Sequence, residues 1–337
     1  MSFPSAPRLR GLVARIGLAV ASTFLLLAVL EGTLRLSGFE FHLYPTEIEF
    51  GRPDPVLLEE AFRPDPELFW VTPGYRETLA ELAREQPSLV LMGDSCTQLG
   101  HYDEALADWA LDEFGEPLRY GNLAVAGWST FQGRRQLARD VPALEPEVVT
   151  LYFGWNDHWT GFGFEDAEVA SWQRLGAGPW GSLRMVQLVL RTRVVVASLG
   201  HRPNRVSIPD FRGNLRAMVS RARSLGAVPV LLPAPDGHRR GEEPAHLEER
   251  WLRDLSELVP LHDAYMEAVR SVARETGAPL CDLAARVEEL PWEERSRLFL
   301  EDGIHFTAQG DRFLAREIGE CFLRHELWSR LIPKGAG

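Results

Sequence analysis

Short apolar runs recur along the chain between residues 88 and 325, and polar or amphipathic stretches separate them. A short, continuous apolar run is typical of a strand that is buried on both faces of a parallel sheet. The runs lie at 88–92, 118–125, 147–153, 227–233 and 279–282. The hydrophobic pattern therefore predicts five buried strands.

Between these runs, apolar residues recur every three or four positions, which is the spacing of one face of a helix. The segments with this spacing are about 102–114, 131–139, 210–225, 248–257, 260–276 and 307–325. Asp210 stands at the start of the third segment and is predicted to cap it. Strands that alternate with helices predict an α/β fold of three layers, in which helices cover both faces of a parallel sheet.

The N-terminal pattern is different, because no charge interrupts residues 16–30. Arginines precede this run, Arg15 being the nearest, and Glu31 follows it. With the apolar residues beside it, and with Arg15 able to reach the interface, the run is long enough to cross a bilayer. We therefore predict a transmembrane anchor, with a short tip before it, within residues 1–35.

The alternative for this segment is a signal peptide that is removed after export. A signal peptidase needs small residues shortly after the apolar run. Ala19 and Ala21 come too early, and Leu30 is too large, so the anchor is the preferred interpretation. Arginines before the run keep that end in the cytoplasm. This predicts a single-pass protein of the cell membrane whose main domain lies on the periplasmic or extracellular side.

Prolines are dense in residues 36–87, often beside acidic residues. A proline removes a backbone donor and disrupts a helix interior, so this density argues against long helices. We predict an extended stalk or wrap that leads from the membrane to a domain at residues 88–330.

Composition and charge narrow the classes of function. Of the 337 residues, 45% are hydrophobic and 25% are charged, as in an ordinary globular protein. The net charge of −12 argues against a nucleic-acid partner, because phosphate binding needs a basic surface. Three cysteines without Cys-x-x-Cys spacing indicate no disulfide framework and no zinc ribbon. We expect Cys96 to be an inert packed thiol, and we favour unpaired Cys281 and Cys321 over the bridge that export would permit.

Two short motifs carry a nucleophile and a base. A Gly-Asp-Ser sequence at 93–95 follows the first strand of the domain, and an Asp-Gly-Ile-His sequence at 302–305 precedes the last helix. A histidine takes the proton of a serine near neutral pH, and a carboxylate on its other ring nitrogen fixes the tautomer. We predict Ser95 as the nucleophile, His305 as the general base and Asp302 as the residue that orients it.

The next two strands end in residues suited to hold a developing oxyanion. Gly127 follows the second strand, and Asn156 lies in a Gly-Trp-Asn-Asp sequence after the third. The backbone N–H groups of Ser95 and Gly127 and the side-chain amide of Asn156 are the predicted donors. Asp94 and Asp157 are candidates for supporting the site, and for Asp157 bracing of the loop is the preferred role.

The remaining histidines do not indicate a metal site. His158, His238, His246 and His262 lack the spacing with a carboxylate that metal ligands have. We therefore predict no metal site.

Each motif alone is a weak signal, but all four occur in a fixed order at the ends of predicted elements. Together they resemble the four blocks of the SGNH (GDSL) hydrolase superfamily, matched here by Ser95, Gly127, Asn156 and His305. The resemblance covers residues 88–325 and implies a five-stranded parallel sheet in flavodoxin-like order, a Ser-His-Asp site and no cofactor. Cys96 and the threonine after it depart from the longer form of the first block, which has leucine or isoleucine after the serine. The N-terminal anchor and the Gly-Trp-Asn-Asp block look like the membrane-anchored bacterial branch.

Residues 158–209 do not follow the alternation of strands and helices. The stretch is aromatic and rich in glycine, and a stretch this long is usually functional or has local structure of its own. We interpret it as an insertion over the active-site face. Its residues Trp159, Trp172 and Trp180 form a sugar-stacking shelf, a membrane-facing lip or the insertion's own core, of which the last is the default.

Three hypotheses of function follow. The first is an exported serine esterase that hydrolyses acyl groups from a carbohydrate, a lipid or a small ester through an acyl-enzyme. The second is an O-acyltransferase with the same residues, which transfers acetyl groups to an envelope polysaccharide. The third is a catalytically silent scaffold protein of the envelope, and the presence of all four motifs argues against it.

Overall fold

The computed structural model describes residues 6–41, 61–161, 164–200, 202–248 and 251–332. A long helix, α1 (Ala6–Leu36), stands at the N-terminus, and its segment Val13–Leu36 has a mean hydropathy of 2.2 with none of it buried. A domain built on one parallel sheet with helices on both sides follows. The predicted α/β class and the apolar N-terminal helix are thereby confirmed.

The strands in chain order are β1 (Arg63–Asp65), β2 (Phe69–Val71), β3 (Leu89–Gly93), β4 (Tyr120–Asn122), β5 (Val148–Tyr152) and β6 (Val228–Leu231). The helices after α1 are α2 (Tyr75–Glu85), α3 (Ser95–Gln98), α4 (Tyr102–Phe114), α5 (Thr130–Arg139), α6 (Trp155–His158), α7 (Asp166–Ala177), α8 (Arg184–Ser198), α9 (Ile208–Ser224), α10 (Leu258–Thr276), α11 (Leu283–Glu288), α12 (Trp292–Arg295), α13 (Ala308–Arg324) and α14 (Trp328–Leu331).

The parallel sheet has the strand order β4–β3–β5–β6. Strand β3 pairs on both sides, with Leu89 opposite Tyr120 in β4 and opposite Val148 in β5. Every residue of β3 and β5 is buried, as expected for strands that helices cover on both faces. One group of helices is formed by α4 and α13, and the other by α5, α9 and α10. The carboxyl ends of β3, β4 and β5 therefore meet at one edge of the sheet.

The predicted fifth strand is reduced to a single bridge. Leu231 N donates to Pro279 O at 2.9 Å, and Cys281 N donates to Leu231 O at 3.0 Å, so that Leu280 pairs with Leu231 in parallel. Asp282 then caps helix α11, and this helix begins before the ladder can extend. The flavodoxin-like order holds, with four strands and one bridge in place of five strands.

Two local predictions are wrong. Within the described part of residues 248–257 there is no α-helix, and Leu255–Glu257 forms a single 3₁₀ turn. Helix α9 begins two residues before Asp210, with Ser207 at its N-cap position. Pro209 has the backbone angle that the first helical turn needs, so Asp210 lies inside the helix. There it accepts a hydrogen bond from the Ser207 hydroxyl at 2.7 Å.

The Pro-rich segment is folded where the structure describes it. Strands β1 and β2 form an antiparallel hairpin, and α2 is a helix of 11 residues. Leu68 and Trp70 of the hairpin are buried in the core of the domain. Residues 63–85 thus form a hairpin and a helix rather than an extended stalk, because no proline falls within α2 and the helix is free to form. Residues 42–60 lie outside the described residues.

Cys281 and Cys321 form a disulfide, so the expectation that both are unpaired is wrong. The disulfide joins the segment of the single β-bridge, at the edge of the sheet, to helix α13. The Cα atoms of the two cysteines are 5.7 Å apart. The two cysteines are 40 positions apart on different elements, so only tertiary packing brings them together. Cys96 is a free and buried thiol, as expected.

The stretch at 158–209 contains two helices of its own, α7 and α8. Trp159 and Trp172 are buried, and the ring of Trp172 meets that of Phe164 edge-on at 4.4 Å. Trp180 is instead 64% exposed. Two of the three tryptophans therefore serve the core of this region, and the third faces outward.

Candidate active site

The Gly-Asp-Ser sequence forms the turn between β3 and α3. The Asp94 carboxylate accepts a hydrogen bond from Cys96 N at 3.0 Å and so caps α3. Asp94 is completely buried, whereas Ser95, the first residue of the helix, is partly exposed. The serine thus lies at a helix start, where backbone N–H groups have no partner within the helix.

The Asp-Gly-Ile-His sequence forms a tight turn before α13. Nδ1 of His305 lies 2.6 Å from Oδ2 of Asp302. Oδ1 of the same carboxylate accepts from the backbone N–H groups of Ile304 and His305, both at 2.9 Å. Nδ1 of the neutral ring therefore carries the proton, since a carboxylate only accepts. Nε2 is buried, and among the described residues it has no hydrogen-bond partner.

The charges of this pair stabilise one another. Partial burial acts to raise the pKa of Asp302, but hydrogen bonds from His305 and from two backbone N–H groups outweigh it and hold that pKa at about 2. Burial acts to lower the pKa of His305, but the hydrogen bond and the charge of Asp302 outweigh it and raise that pKa. The carboxylate is therefore ionised at neutral pH, and a protonated imidazole is stabilised beside it.

Direct contacts bring the Gly-Asp-Ser turn together with two of the other motifs. Cys96 Sγ lies 3.6 Å from the carbonyl oxygen of Ile304, the residue before the histidine. Asn156 Nδ2 donates to Asp94 Oδ2 at 3.2 Å. Burial raises the pKa of Asp94 to about 6, and the nearby positive charge of His305 opposes this rise. Motifs far apart in sequence thus meet at one edge of the sheet.

Three side chains from separate parts of the chain hold the loop around Gly127. Ala126 N donates to Gln98 Oε1 at 2.5 Å, and Trp70 Nε1 donates to Ala126 O at 3.0 Å. Arg205 Nη1 donates to Gly127 O at 2.6 Å. The Ala126 carbonyl and the Gly127 N–H belong to the same peptide unit, which is planar. The bond from Trp70 therefore fixes the direction of the N–H group that is predicted to hold the oxyanion.

The arginine in this set belongs to the stretch at 158–209 and is almost completely buried. Arg205 forms a two-pronged ion pair with Asp166, at 3.0 Å and 3.1 Å. Asp166 also accepts from Ser129 Oγ at 2.6 Å, and Ser129 caps α5 directly after the glycine loop. Trp70 and Arg205 lie outside the four motifs, and a single residue outside a motif gives no indication of the contact it will make.

Asp157 makes the contacts of a loop brace. Its carboxylate accepts from the backbone N–H of Thr130 at 2.9 Å and 3.1 Å, and also from the hydroxyl of that residue. Burial raises the pKa of Asp157 to about 7, although these hydrogen bonds oppose the rise. The brace joins the loop of the third motif to the start of α5.

Buried histidines lie behind the third motif. His262 Nε2 lies 2.8 Å from Ala234 O and therefore carries a proton, so its Nδ1 accepts from His158 Nε2 at 3.2 Å. Burial lowers the pKa of both rings, which keeps them neutral. Trp155 stacks on His262 with ring centroids 4.0 Å apart. These contacts fix the backbone that carries the asparagine.

A second aspartate–histidine pair lies close to the first. Nδ1 of His238 lies 2.6 Å from Oδ1 of Asp236, and Gly237 N donates to Gly303 O at 2.9 Å. His238 also lines a cavity of about 340 Å³ together with Trp292. This pair contacts the turn at Gly303, whereas the contact from Cys96 reaches Ile304, the residue next to His305. The geometry therefore favours the motif histidine as the partner of the serine.

The chain belongs to the GDSL-like lipase/acylhydrolase family, whose model matches residues 91–313, about two thirds of its length. The match spans every motif described above, from the end of β3 to α13. The chain is therefore an ester hydrolase of this family.

Solved structures with a similar fold include a lipase/acylhydrolase from Enterococcus faecalis, at 19% identity and a TM-score of 0.47, covering 74% of this chain and 98% of that one. A GDSL-like lipase from Bacteroides thetaiotaomicron has 16% identity and a TM-score of 0.46, with coverage of 74% and 98%. An acetylxylan esterase from Geobacillus stearothermophilus has 16% identity and a TM-score of 0.45, with coverage of 74% and 97%. At these values the likeness carries no argument about substrate. A search of curated proteins finds no match.

Proposed function

We propose that the protein is an exported serine esterase that removes ester-linked acyl groups through an acyl-enzyme. The observation that carries the proposal is the pair formed by His305 and Asp302. Their 2.6 Å contact leaves Nε2 of the histidine buried and without a partner in the described chain, beside the turn that bears Ser95. A base held in one tautomer next to a serine at a helix start is the arrangement that activates a hydroxyl nucleophile.

In the proposed mechanism, Ser95 Oγ attacks the ester carbonyl while His305 Nε2 takes its proton. The histidine then returns this proton to the leaving alcohol, which leaves an acyl group on the serine. Water repeats the sequence in the second half-reaction, releases the carboxylic acid and restores the serine. Asp302 remains ionised throughout, since its pKa is about 2, and it stabilises the positive charge on the ring.

The oxyanion of each tetrahedral intermediate is assigned to the N–H groups of Ser95 and Gly127 and to the Asn156 amide. Asn156 donates one of its two side-chain N–H groups to Asp94, and the other remains for the substrate. The bond from Trp70 Nε1 to Ala126 O preorganises the peptide that carries the glycine N–H. Donors fixed in advance stabilise developing charge without a cost of reorganisation.

Export and anchoring form the second part of the proposal. Helix α1 contains one segment long and apolar enough to cross a membrane. The carboxylate of Glu31, near the end of this helix, accepts from the backbone N–H groups of Arg184 and Met185 at 3.1 Å and 3.0 Å. A helix end that packs on the folded domain supports an uncleaved anchor. The bridge between Cys281 and Cys321 suits an oxidising compartment outside the cytoplasm.

A fluorophosphonate probe tests the nucleophile. We expect the wild-type protein to be labelled and Ser95→Ala to be silent, with a burst of nitrophenol from p-nitrophenyl acetate in the wild type alone. His305→Ala should abolish labelling, whereas His238→Gln, which alters the second aspartate–histidine pair, should retain it. Labelling of Ser95→Ala, or loss only in the His238 variant, would overturn the assignment.

Protease accessibility tests the proposed membrane topology. Protease added to intact spheroplasts is expected to digest the hydrolase domain of the full chain, because the arginines at the N-terminus keep that end inside. A peptide tag before Arg8 should stay protected. Protection of the domain, or appearance of the soluble domain without its first 36 residues, would contradict the anchored topology.

A further inference from the structure

Helix α8 is joined to the end of the N-terminal helix. Glu31 of α1 binds the first two free N–H groups of α8, so that its carboxylate occupies the positive end of that helix. Arg35 Nη2 donates to Ser182 O at 3.0 Å, just before α8 begins. Phe41 N donates to Gln187 Oε1 at 3.2 Å, one turn further along. The start of α8 is thereby fixed against the last turns of the proposed anchor.

These contacts define the height of α8 relative to a bilayer. A helix rises 1.5 Å per residue, so about 20 residues cross a hydrocarbon core of about 30 Å. Counted from Ile16, the first residue after Arg15, such a span ends at Arg35. Arg35 therefore lies at the outer interface, and Glu31, one turn before it, lies at the outer edge of the hydrocarbon core. Helix α8 begins at that same level.

The outer side of α8 and of the segments beside it exposes apolar side chains. Val189 is 55% exposed, Val196 is 62% exposed and Leu199 is 82% exposed. Trp180, before the helix, is 64% exposed, and tryptophan is typical of membrane–water interfaces. An apolar face next to a membrane-spanning segment is better accounted for by lipid than by water.

The charges of the same stretch have one sign. Residues 178–200 contain three arginines and no acidic residue, in a chain of net charge −12. Arg184 pairs with Glu40 at 2.9 Å. Arg191 and Arg193 are exposed, each with its guanidinium group over an aromatic ring of the protein. A local cluster of exposed cations on an acidic protein fits the anionic headgroups of a bilayer.

We propose that α8 lies in the outer headgroup region of the bilayer that α1 spans, with its exposed apolar side chains inserted and Arg191 and Arg193 on anionic lipid. The proposal rests on the anchoring of α1 put forward above. It gives the stretch at 158–209 a role as the membrane-facing side of the hydrolase domain. Arg205, which holds the Gly127 loop, belongs to the same stretch, so the site is tied to the membrane-facing side.

A lipid-sensitive probe on α8 tests this placement in the full chain. Val196→Cys is labelled with an environment-sensitive fluorophore and reconstituted in vesicles of phosphatidylcholine and phosphatidylglycerol. Labelling is specific, because Cys96 is buried and the other two cysteines are bridged. We expect nitroxide-bearing lipids to quench the emission by roughly half, as for an interfacial helix, and aqueous iodide to have little effect.

Two matched variants make the result decisive. A label on Leu111→Cys, at a position of α4 that is 48% exposed, should be quenched by iodide and not by lipid. Val20→Cys, in α1, should be quenched by lipid and thereby report anchoring itself. If Val20→Cys is quenched and Val196→Cys is open to iodide, the interfacial helix is wrong while the anchor stands. If neither is quenched by lipid, the anchor has failed and this inference falls with it.

Changes of charge, in the protein and in the vesicles, distinguish lipid from other partners of α8. Arg191→Glu with Arg193→Glu should weaken lipid quenching at position 196, and so should vesicles of phosphatidylcholine alone. A label at 196 that is shielded from iodide but insensitive to lipid would mean that another protein surface covers α8. That outcome would overturn the lipid assignment.

Discussion

At the residue scale, the site depends on hydrogen bonds that fix the direction of single groups. The carboxylate of Asp302 holds the imidazole of His305, and the indole of Trp70 holds the peptide before Gly127. Both partners act on a neighbour that would otherwise have several orientations. Their removal is therefore expected to reduce the rate more than the binding of substrate.

The pH dependence of kcat/KM tests the first of these bonds. His305 must be neutral to accept a proton, and its pKa lies above its ordinary value of 6.5 because of Asp302, so activity should rise with pH through that raised pKa. Asp302→Asn removes the charge, which should move the acid limb to lower pH and reduce the maximal rate about 10³- to 10⁴-fold. Asp236→Asn, which alters the second aspartate–histidine pair, is the control. An acid limb that does not move in Asp302→Asn would contradict the assignment.

Trp70→Phe tests the second bond. The variant keeps an aromatic ring in the hairpin but loses the donor to Ala126 O, so the peptide before Gly127 is free to turn. We expect kcat to fall about tenfold with KM little changed, which is less than the loss of an oxyanion donor itself.

Trp128→Phe is the matched control, since the Trp128 indole donates to the carbonyl of Trp70 at 3.0 Å and not to the loop peptide. Trp128→Phe should lower the stability of the protein without lowering kcat. Equal kinetic losses in both variants would mean that the hairpin acts on the site only through packing.

At the element scale, the turn at 302–305 shows how closely two loops must approach. Gly303 has φ of +68°, and a Cβ atom there would lie 2.7 Å from Nε2 of His238. Glycine is therefore required both for the backbone conformation and for the contact. The loop at 236–238 supports the turn that carries the proposed catalytic pair, and its own histidine belongs to that support.

Gly303→Ala is expected to displace this turn. We predict a loss of about 1–3 kcal/mol in the free energy of unfolding and at least a tenfold loss of activity, because the aspartate and the histidine move together. Gly226→Ala is the control, since Gly226 has φ of +86° and open space around it. That variant should lose about 1 kcal/mol and keep full activity. Equal activity in the two variants would rule out the proposed clash.

At the scale of the whole molecule, segments far apart in sequence stabilise one domain. The hairpin of β1 and β2, the stretch at 158–209 and the disulfide at the edge of the sheet each connect distant positions. The disulfide closes a loop across 40 positions and joins α13, which follows the turn at 302–305, to the last bridge of the sheet.

Removal of this disulfide should lower stability and spare catalysis. A loop of this length corresponds to about 4 kcal/mol in the chain-entropy model, and measured effects are commonly about 2–4 kcal/mol. Cys281→Ala with Cys321→Ala should therefore lower the Tm and keep the activity of the folded enzyme at room temperature. A reducing agent should have the same effect on the wild type and none on the double variant. A reduced wild type with unchanged Tm would contradict the prediction.

The sequence by itself determined the alternation of buried strands and helices after residue 88 and the motif residues of the candidate site. Buried strands such as β3 are continuous apolar runs, and helices such as α4 repeat with helical spacing, so local periodicity carries both. The Gly-Asp-Ser and Asp-Gly-Ile-His sequences are also local, because each needs neighbouring residues on one turn. The fold class and the family were predictable for this reason.

Only the tertiary structure decided which distant residues meet. The bond from Trp70 to Ala126, the ion pair of Arg205 with Asp166 and the bridge of Cys281 with Cys321 connect positions with no pattern in common. The reduction of the fifth strand to one bridge and the folding of the Pro-rich segment have the same origin, since packing against the domain decides both. Periodicity indicates which face of an element is buried, but it does not indicate which partner buries that face.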